Sequence, residues 1–469
     1  MASEKNLNAV FTDIANAIRE KKGTTDQIKP INMAEEIVNL PSGGSFPPNW
    51  TEIGYDGTPQ GIIDGFEYAK KIANEWDSAN TELKFYSDSK LMFLPMIDTS
   101  NITSIKFNAC TSLINVPQLN TPKLNTMTSV FEGCKSLVSI GGFNTSNVTS
   151  FNKAFYECNN LKDIPNFDTS NVTNFEQAFC RCSNLKHIPD LNTSKGTNFN
   201  QAFSFTGITE TPNIDLSNAT KVSSLFSYCT KLTTIHADIL HFPKVTSISS
   251  LFYGCTGLTE IPLFDTSKIT DMNYAFQDCS SLTSIPLFDT SNVTSMRAAF
   301  AGCKALREIP LFNTSKVTYL IELFQRCTSL ITIPLLDISN VTNTMYMFQE
   351  CTSLQSIPLL DTSKVTYMYG MFMNCSSITE IPALDVSNVT DFTFAFHKCT
   401  SLKKILITGI KSNLSLGDGV DLDRDAIVVV LNNLVTVTET KTLYLGSTNL
   451  AKLTDEDKAI ATNKGWTLK

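Results

Sequence analysis

The stretch Ser281–Cys303, SLTSIPLFDTSNVTSMRAAFAGC, decides the fold, because the chain keeps repeating it. Aligned on its final residue, cysteines stand at Cys110, Cys134, Cys158 and Cys182, and again at Cys229, Cys255, Cys279, Cys303, Cys327, Cys351, Cys375 and Cys399. The step is 24 residues; Thr206 replaces one cysteine, the next step is 23, and an insertion around His236 to Pro243 stretches the following one to 26. Each unit runs Leu-x-x-Ile-Pro-x-[Phe/Leu]-[Asp/Asn]-Thr-Ser-[Asn/Lys]-Val-Thr, with Phe three residues before the next Cys. Such a period implies stacked coils, each burying its apolar face against its neighbours.

The expected fold is therefore an α/β repeat: a leucine-rich-repeat solenoid of about thirteen 24-residue coils between about Asp98 and Ile407, with a helical N-cap and an α/β C-cap. Leu282 and Ile285 should open a short strand, and Asp289, Ser291 and Asn292 should turn the chain through side-chain bonds to nearby backbone. Val293, Met296, Ala299, Phe300 and Cys303 fall at helical spacing, which predicts a helical turn on the far side. The periodic cysteines then read as small buried apolar residues. Adjacent thiols come within disulfide range, but a chain folded in a reducing compartment keeps them free. Cys180 breaks the register, and the helical-face argument turns it outward or sideways, as an ordinary surface substitution or as the one candidate reactive thiol.

Composition narrows the function. Of 469 residues, 42% are apolar and 17% charged, enough for a large core, and the net charge of -8 with no basic block argues against nucleic acid as a partner. Only four histidines accompany thirteen cysteines, and no CxxC pair occurs, so neither a metal nor another cofactor is expected. No nucleophile elbow, phosphate loop or recurring carboxylate pair appears, so no enzymatic activity is expected. Neither a signal-peptide core nor an apolar run long enough to span a bilayer can be drawn. A chain made in the bacterial cytoplasm, without membrane insertion, is the expectation. The Asn-x-Thr sequences at Asn147, Asn171, Asn292, Asn340 and Asn388 read as turn residues. The Asp418, Asp421, Asp423 and Asp425 run lacks the glycine and glutamate of a calcium loop and reads as acids before a helix at Ala426 to Leu434.

Four segments follow: 1–43 as a helical attachment module, 44–95 as linker and N-terminal cap, 96–408 as solenoid, and 409–469 as C-terminal cap. Leu7, Val10, Phe11, Ile14 and Ile18 form one helical stripe, too short to stand alone in water and hence a surface for attachment; it permits a homotrimer without requiring one. A helix from near Pro59 should bury Ile62, Phe66, Ala69, Ile72, Ala73 and Trp76. At the far end a strand near Thr442 to Leu445 and a helix capped by Thr454, with Asp457 three later and Gly465 at its stop, are expected.

Two aromatic surfaces are candidates for ligand binding. If the strand alternates from Ile285, then Leu263, Leu287, Leu311, Leu335 and Leu359 point inward and Pro262, Phe264, Phe288, Phe312, Leu336 and Leu360 line the concave side. On the helical turns, Tyr274, Tyr319, Tyr346, Tyr367, Tyr369 and Phe394 should face outward. Aromatics clustered over consecutive coils suit stacking on sugar rings or anchoring a protein; the competing expectation is that they pack on each other or on the N-terminal segment.

The units LDTSNVT…MF..C.SL.SIP resemble the BspA-type leucine-rich repeats of bacterial surface proteins and runs in mycoplasma surface lipoproteins, over about two thirds of the chain. NAVFTDIANAIREKKGTTDQIKP (8–30) resembles a short module that opens many phage and prophage tail proteins. LYLGSTNLAKLTDEDKAIATNKGWTL (443–468) resembles the terminal cap of repeat proteins from gut bacteria and their phages. The exported members carry a signal or lipobox, and this chain departs from them there. These resemblances imply a receptor-binding or accessory tail-fibre protein of a phage virion. It would meet a host-cell surface glycan or protein through the solenoid, and other tail or baseplate proteins through its N-terminus. A bacterial surface adhesin and an intracellular protein-binding scaffold are the alternatives.

Overall fold

The computed structural model describes residues 59–469, so the attachment stripe Leu7, Val10, Phe11, Ile14 and Ile18 lies outside the described residues. The chain divides into two compact units, Met1–Lys221 and Val222–Lys469. Together they hold about 16 coils at roughly 24-residue spacing, more than the thirteen counted on cysteines, and the fold is a β-solenoid.

In the first unit, helix α1 (Pro59–Glu75) precedes the coils. Gly65, Ala69 and Ile72 form its buried line, and a Cβ on Gly65 would sit 2.8 Å from Met92 Sδ. Tyr68 donates to Asp88 Oδ2 (2.6 Å) and Trp76 Nε1 to the Asp98 carbonyl (2.8 Å). Ala73, expected on that face, is exposed, because it lies about 100° round the helix from Ile72. The side chains of Ile62 and Phe66 lie outside those described. Strands β1 (Glu82–Lys84) and β2 (Ser104–Lys106) pair in parallel, as do β3 (Asn115–Val116) and β4 (Ser139–Ile140). Bridges Ser150↔Asn174↔Asn198↔Lys221 continue the ladder.

In the second unit the bridges Ser247↔Asp271↔Ser295 and Tyr319↔Asn343↔Tyr367↔Asp391 take the same role, followed by β5 (Glu380–Ile381) paired with β6 (Lys404–Ile405). The segment expected to be a helical turn is not helical. Ala298 and Phe300 send their N–H groups to Ile321 and Leu323 of the next coil (3.0 and 3.1 Å), while Ala299 and Cys303 close turns on Met296 and Phe300 (3.2 Å each). Left-handed residues at Ala298 (φ 50°) and Gly302 (φ 72°) interrupt any α-helical ladder. Met296, Ala299, Phe300 and Cys303 are nonetheless all buried, as the spacing required.

Two ladders fill the core. Stacked rings run Phe107–Phe131–Phe155–Phe179–Phe203 in the first unit, with centroids 5.3 to 5.7 Å apart, and Phe226–Phe252–Phe276–Phe300–Phe324–Phe348–Phe372–Phe396 in the second, 5.6 to 6.0 Å apart. Beside them eleven thiols on the 24-residue register donate to the carbonyl of a Phe, as Cys303 Sγ does to Phe276 (3.2 Å). All thirteen cysteines are free and buried, and burial pushes Cys279, Cys327 and Cys399 up to about 12. Cys180 is not turned outward. It is 3% exposed, its backbone carbonyl accepts from Glu157 N (2.9 Å), and burial raises its thiol to about 11. Where other coils carry a small side chain at this position, as at Ser204 and Ala301, it too is buried, whereas larger ones such as Gln325 and Gln349 are half-buried. Iodoacetamide at pH 8 should therefore leave all thirteen thiols unmodified in the native chain and label them all in denaturant; rapid native labelling at Cys180 would contradict this burial.

The asparagines of the Asn-x-Thr sequences hold coils together: Asn292 Nδ2 donates to the Ser267 carbonyl (2.7 Å), and Lys316 Nζ donates to Asn292 Oδ1 (2.7 Å). The C-terminal region follows the sequence closely. Parallel strands β7 (Leu414–Ser415), β8 (Lys441–Tyr444) and β9 (Trp466–Leu468) form one sheet. Asp423 caps α2 (Arg424–Asn433), α3 spans Gly446–Leu450, and Thr454 with Asp457 builds a capping box on α4 (Asp455–Thr462), closed past its end by Gly465 at φ 85°. Arg424 clamps Asp457 with two bonds (2.7 and 2.8 Å), tying α2 to α4.

Candidate binding surface

The structure inverts the strand-face assignment. Phe288 and Phe312 are 2% exposed and Phe264 is buried, as are Leu336 and Leu360, whereas Leu263, Leu287, Leu311, Leu335 and Leu359 are 59–64% exposed. The cause is local. Phe288 N–H bonds the Pro286 carbonyl (2.9 Å), an i→i+2 turn centred on Leu287, and Pro286 has no N–H to give a ladder. Leu282, Ile285 and Phe288 thus enter the core at a three-residue step, and the residue before each Phe is thrown out.

The result is a row of five leucines on consecutive coils of the second unit, roughly 4.8 Å apart and roughly 20 Å long. Half-buried prolines (Pro262, Pro286, Pro310, Pro334, Pro358) precede them. Asp265, Asp289, Asp337 and Asp361 stand two residues beyond four of them, each held below the usual carboxylate range by the hydroxyl and backbone N–H of a following serine. An apolar ridge bordered by fixed negative charge fits a partner with an apolar stripe edged by basic groups. The pattern was present in the sequence: proline directly after Ile signals that no ladder strand continues there.

The second set of candidates is only partly assembled. Tyr319, Tyr367 and Phe394 are exposed; Tyr274, Tyr346 and Tyr369 are half-buried. Tyr346, Tyr369 and Phe394 join edge to face, at 5.1 and 5.7 Å between centroids. Tyr319 and Tyr367 belong to a separate row, on the bridge ladder through Asn343, and Tyr274 lies apart with the Arg297 guanidinium 5.8 Å from its ring. Beyond Phe394 the string reaches His397 (5.4 Å) and a cleft of about 230 Å³ lined by Phe392, Asn413, Ser415, Asp418 and Tyr444 among others, which sequence reasoning missed because its walls are far apart in the chain. Among the described residues no group of three or more His, Cys, Asp or Glu could hold a metal ion, and no helix is long and apolar enough to cross a membrane.

The family model described as "Mycoplasma protein of unknown function, DUF285" matches residues 100–212, 150–259, 246–356 and 318–408. These overlapping matches cover the repeats without a gap. The chain belongs to this DUF285 family. No curated protein matches it. Among solved structures, the DUF285 chain is similar to a leucine-rich repeat protein from Eubacterium ventriosum (20% identity, 61% of this chain and 87% of that one, TM-score 0.35). It is also similar to a leucine rich cell surface protein from Faecalibacterium prausnitzii (17% identity, 71% and 89%, TM-score 0.31) and to the pneumococcal vaccine antigen PcpA (13% identity, 83% and 77%, TM-score 0.28).

Proposed function

We propose that this chain is a non-enzymatic recognition protein, acting as a receptor-binding or accessory fibre protein of a phage tail. It would be carried on the virion and meet a host-surface protein or glycan through the outer rows of its solenoid. The observation that carries the binding role is the leucine row: five side chains at 59–64% exposure, repeated in register, form a patch that a soluble protein rarely leaves uncovered without a use. The flanking aspartates favour a protein partner along the ridge, and the Tyr346–Tyr369–Phe394 string suits a sugar ring. The placement on a tail rests on the resemblance of residues 8–30 to tail-protein openings, with Leu7, Val10, Phe11, Ile14 and Ile18 as the surface for other tail or baseplate proteins.

The test is particle composition. Purified virions should contain the full chain, and deletion of residues 1–43 should leave the particles without it. If the truncated chain still sediments with particles, the attachment role of that segment is wrong. If the protein is found on the surface of uninduced cells and never in virions, it is a bacterial adhesin; if only inside them, an intracellular scaffold.

A further inference from the structure

We propose that the cleft between Phe394 and Tyr444 in the second unit binds a single pyranose residue of a glycan. The assignment builds on the recognition role above and names a ligand class for one part of the surface. The cleft, about 230 Å³, is smaller than the cavities that enclose drug-sized ligands, and so fits one ring rather than an extended chain. Phe394 and Tyr444 are 41% and 42% exposed at its walls, with Lys469 Nζ 5.8 Å from the Tyr444 ring, and exposed aromatic rings can stack on the C–H face of a sugar. Tyr369 and His397 both meet Phe394 edge to face and hold its ring in place.

The polar groups point the same way. His397 Nδ1 is buried and makes no hydrogen bond; Asp418 Oδ2 lies 3.5 Å away, an electrostatic neighbour without bonding geometry. In preceding coils the same row closes on itself, Gln325 Nε2 donating to Gln349 Oε1 (2.6 Å) and Gln349 Nε2 approaching Met373 Sδ (3.8 Å), so the row ends at His397 with a nitrogen left over. A buried, unsatisfied nitrogen is costly and calls for a partner. Asp418 is fixed by its carbonyl, which accepts from Lys398 N (2.7 Å), and its carboxylate can only accept. Asn413 already accepts from Thr442 N (2.8 Å) through Oδ1, which leaves its amide N–H groups as donors. The site therefore presents acceptors and donors together. Neighbouring hydroxyls on a pyranose both donate and accept and can answer each of them; an ammonium group donates only, and leaves Asn413 unanswered.

Saturation-transfer NMR on the full chain, with the methyl pyranosides of glucose, galactose, mannose and N-acetylglucosamine as probes, tests the assignment. At least one should bind, with Kd on the order of 1 mM. Phe394→Ala and Asp418→Asn should each weaken it by about tenfold or more, while Met96→Ser, at an exposed position in the first unit, leaves it unchanged. Melting temperatures measured alongside show whether each variant is folded, and Asp418→Asn, an isosteric change at an exposed carboxylate, remains informative if Phe394→Ala is not. The assignment is overturned if none of the four glycosides binds, if binding is the same in a folded Asp418→Asn variant, or if butylammonium binds in an Asp418-dependent way and the glycosides do not. Host-cell adsorption of the unmodified chain separates the two readings: adsorption without glycoside binding removes this site alone, and glycoside binding without adsorption removes the host-recognition role alone.

Discussion

Phe312→Ala should cost about 3–5 kcal/mol of stability, whereas Leu311→Ala, one residue earlier, should cost less than about 0.5 kcal/mol. Phe312 is 2% exposed and stacks on Phe300 at 5.5 Å with the rings 4° from parallel. Phe300 in turn lies between Phe276 and Phe324, so truncation opens a cavity inside a continuous ladder. A solenoid unit is stabilised only by its neighbours, and a coil that no longer fills its share weakens both interfaces it makes. Leu311 has most of its side chain in solvent and little to lose. Denaturant melts of the two variants decide between the faces. Equal losses, or a larger loss from Leu311→Ala, would restore the alternating-strand assignment and remove the exposed ridge.

The second large effect is on binding. Changing Leu287, Leu311 and Leu335 together to serine should weaken host adsorption about 100-fold or more, taking about 1 kcal/mol for each leucine whose exposed part becomes buried against a partner. The melting temperature should barely move, because all three side chains already face water. The paired Tyr346→Ala and Tyr369→Ala variant serves as the comparison. If the serine variant adsorbs like the parent and the tyrosine variant does not, recognition runs along the aromatic string and the leucine ridge has another use.

The period, the cysteine rungs and the start and stop of the last helix were legible in the sequence because each depends on local signals: a fixed step, Thr454 with Asp457, Gly465 after a helix. The face assignment was not. It assumed a strand after Ile285, but a proline without an N–H follows the Ile in each of these coils, and the Leu282, Ile285 and Phe288 positions enter the core at a three-residue step instead. The Cys180 expectation failed for a related reason, since Arg181 at φ 65° breaks the helical geometry on which the outward direction was based. The cleft was out of reach for a different cause. Phe394, His397, Asp418 and Tyr444 belong to the last coil, a loop and a strand, and only the closing of the C-terminal sheet brings them together.

The rung-by-rung regularity of the core has an evolutionary consequence. The regular 24-residue repeats offer one another the same phenylalanine face, the same thiol and the same backbone bonds, so unequal recombination that removes or duplicates one such repeat leaves each remaining junction chemically familiar. The outer positions do not share that uniformity: where one coil shows leucine, another shows alanine, asparagine or histidine. A lineage can thus reshuffle what it displays by exchanging repeats in frame, altering recognition in whole steps without first having to repair its interior.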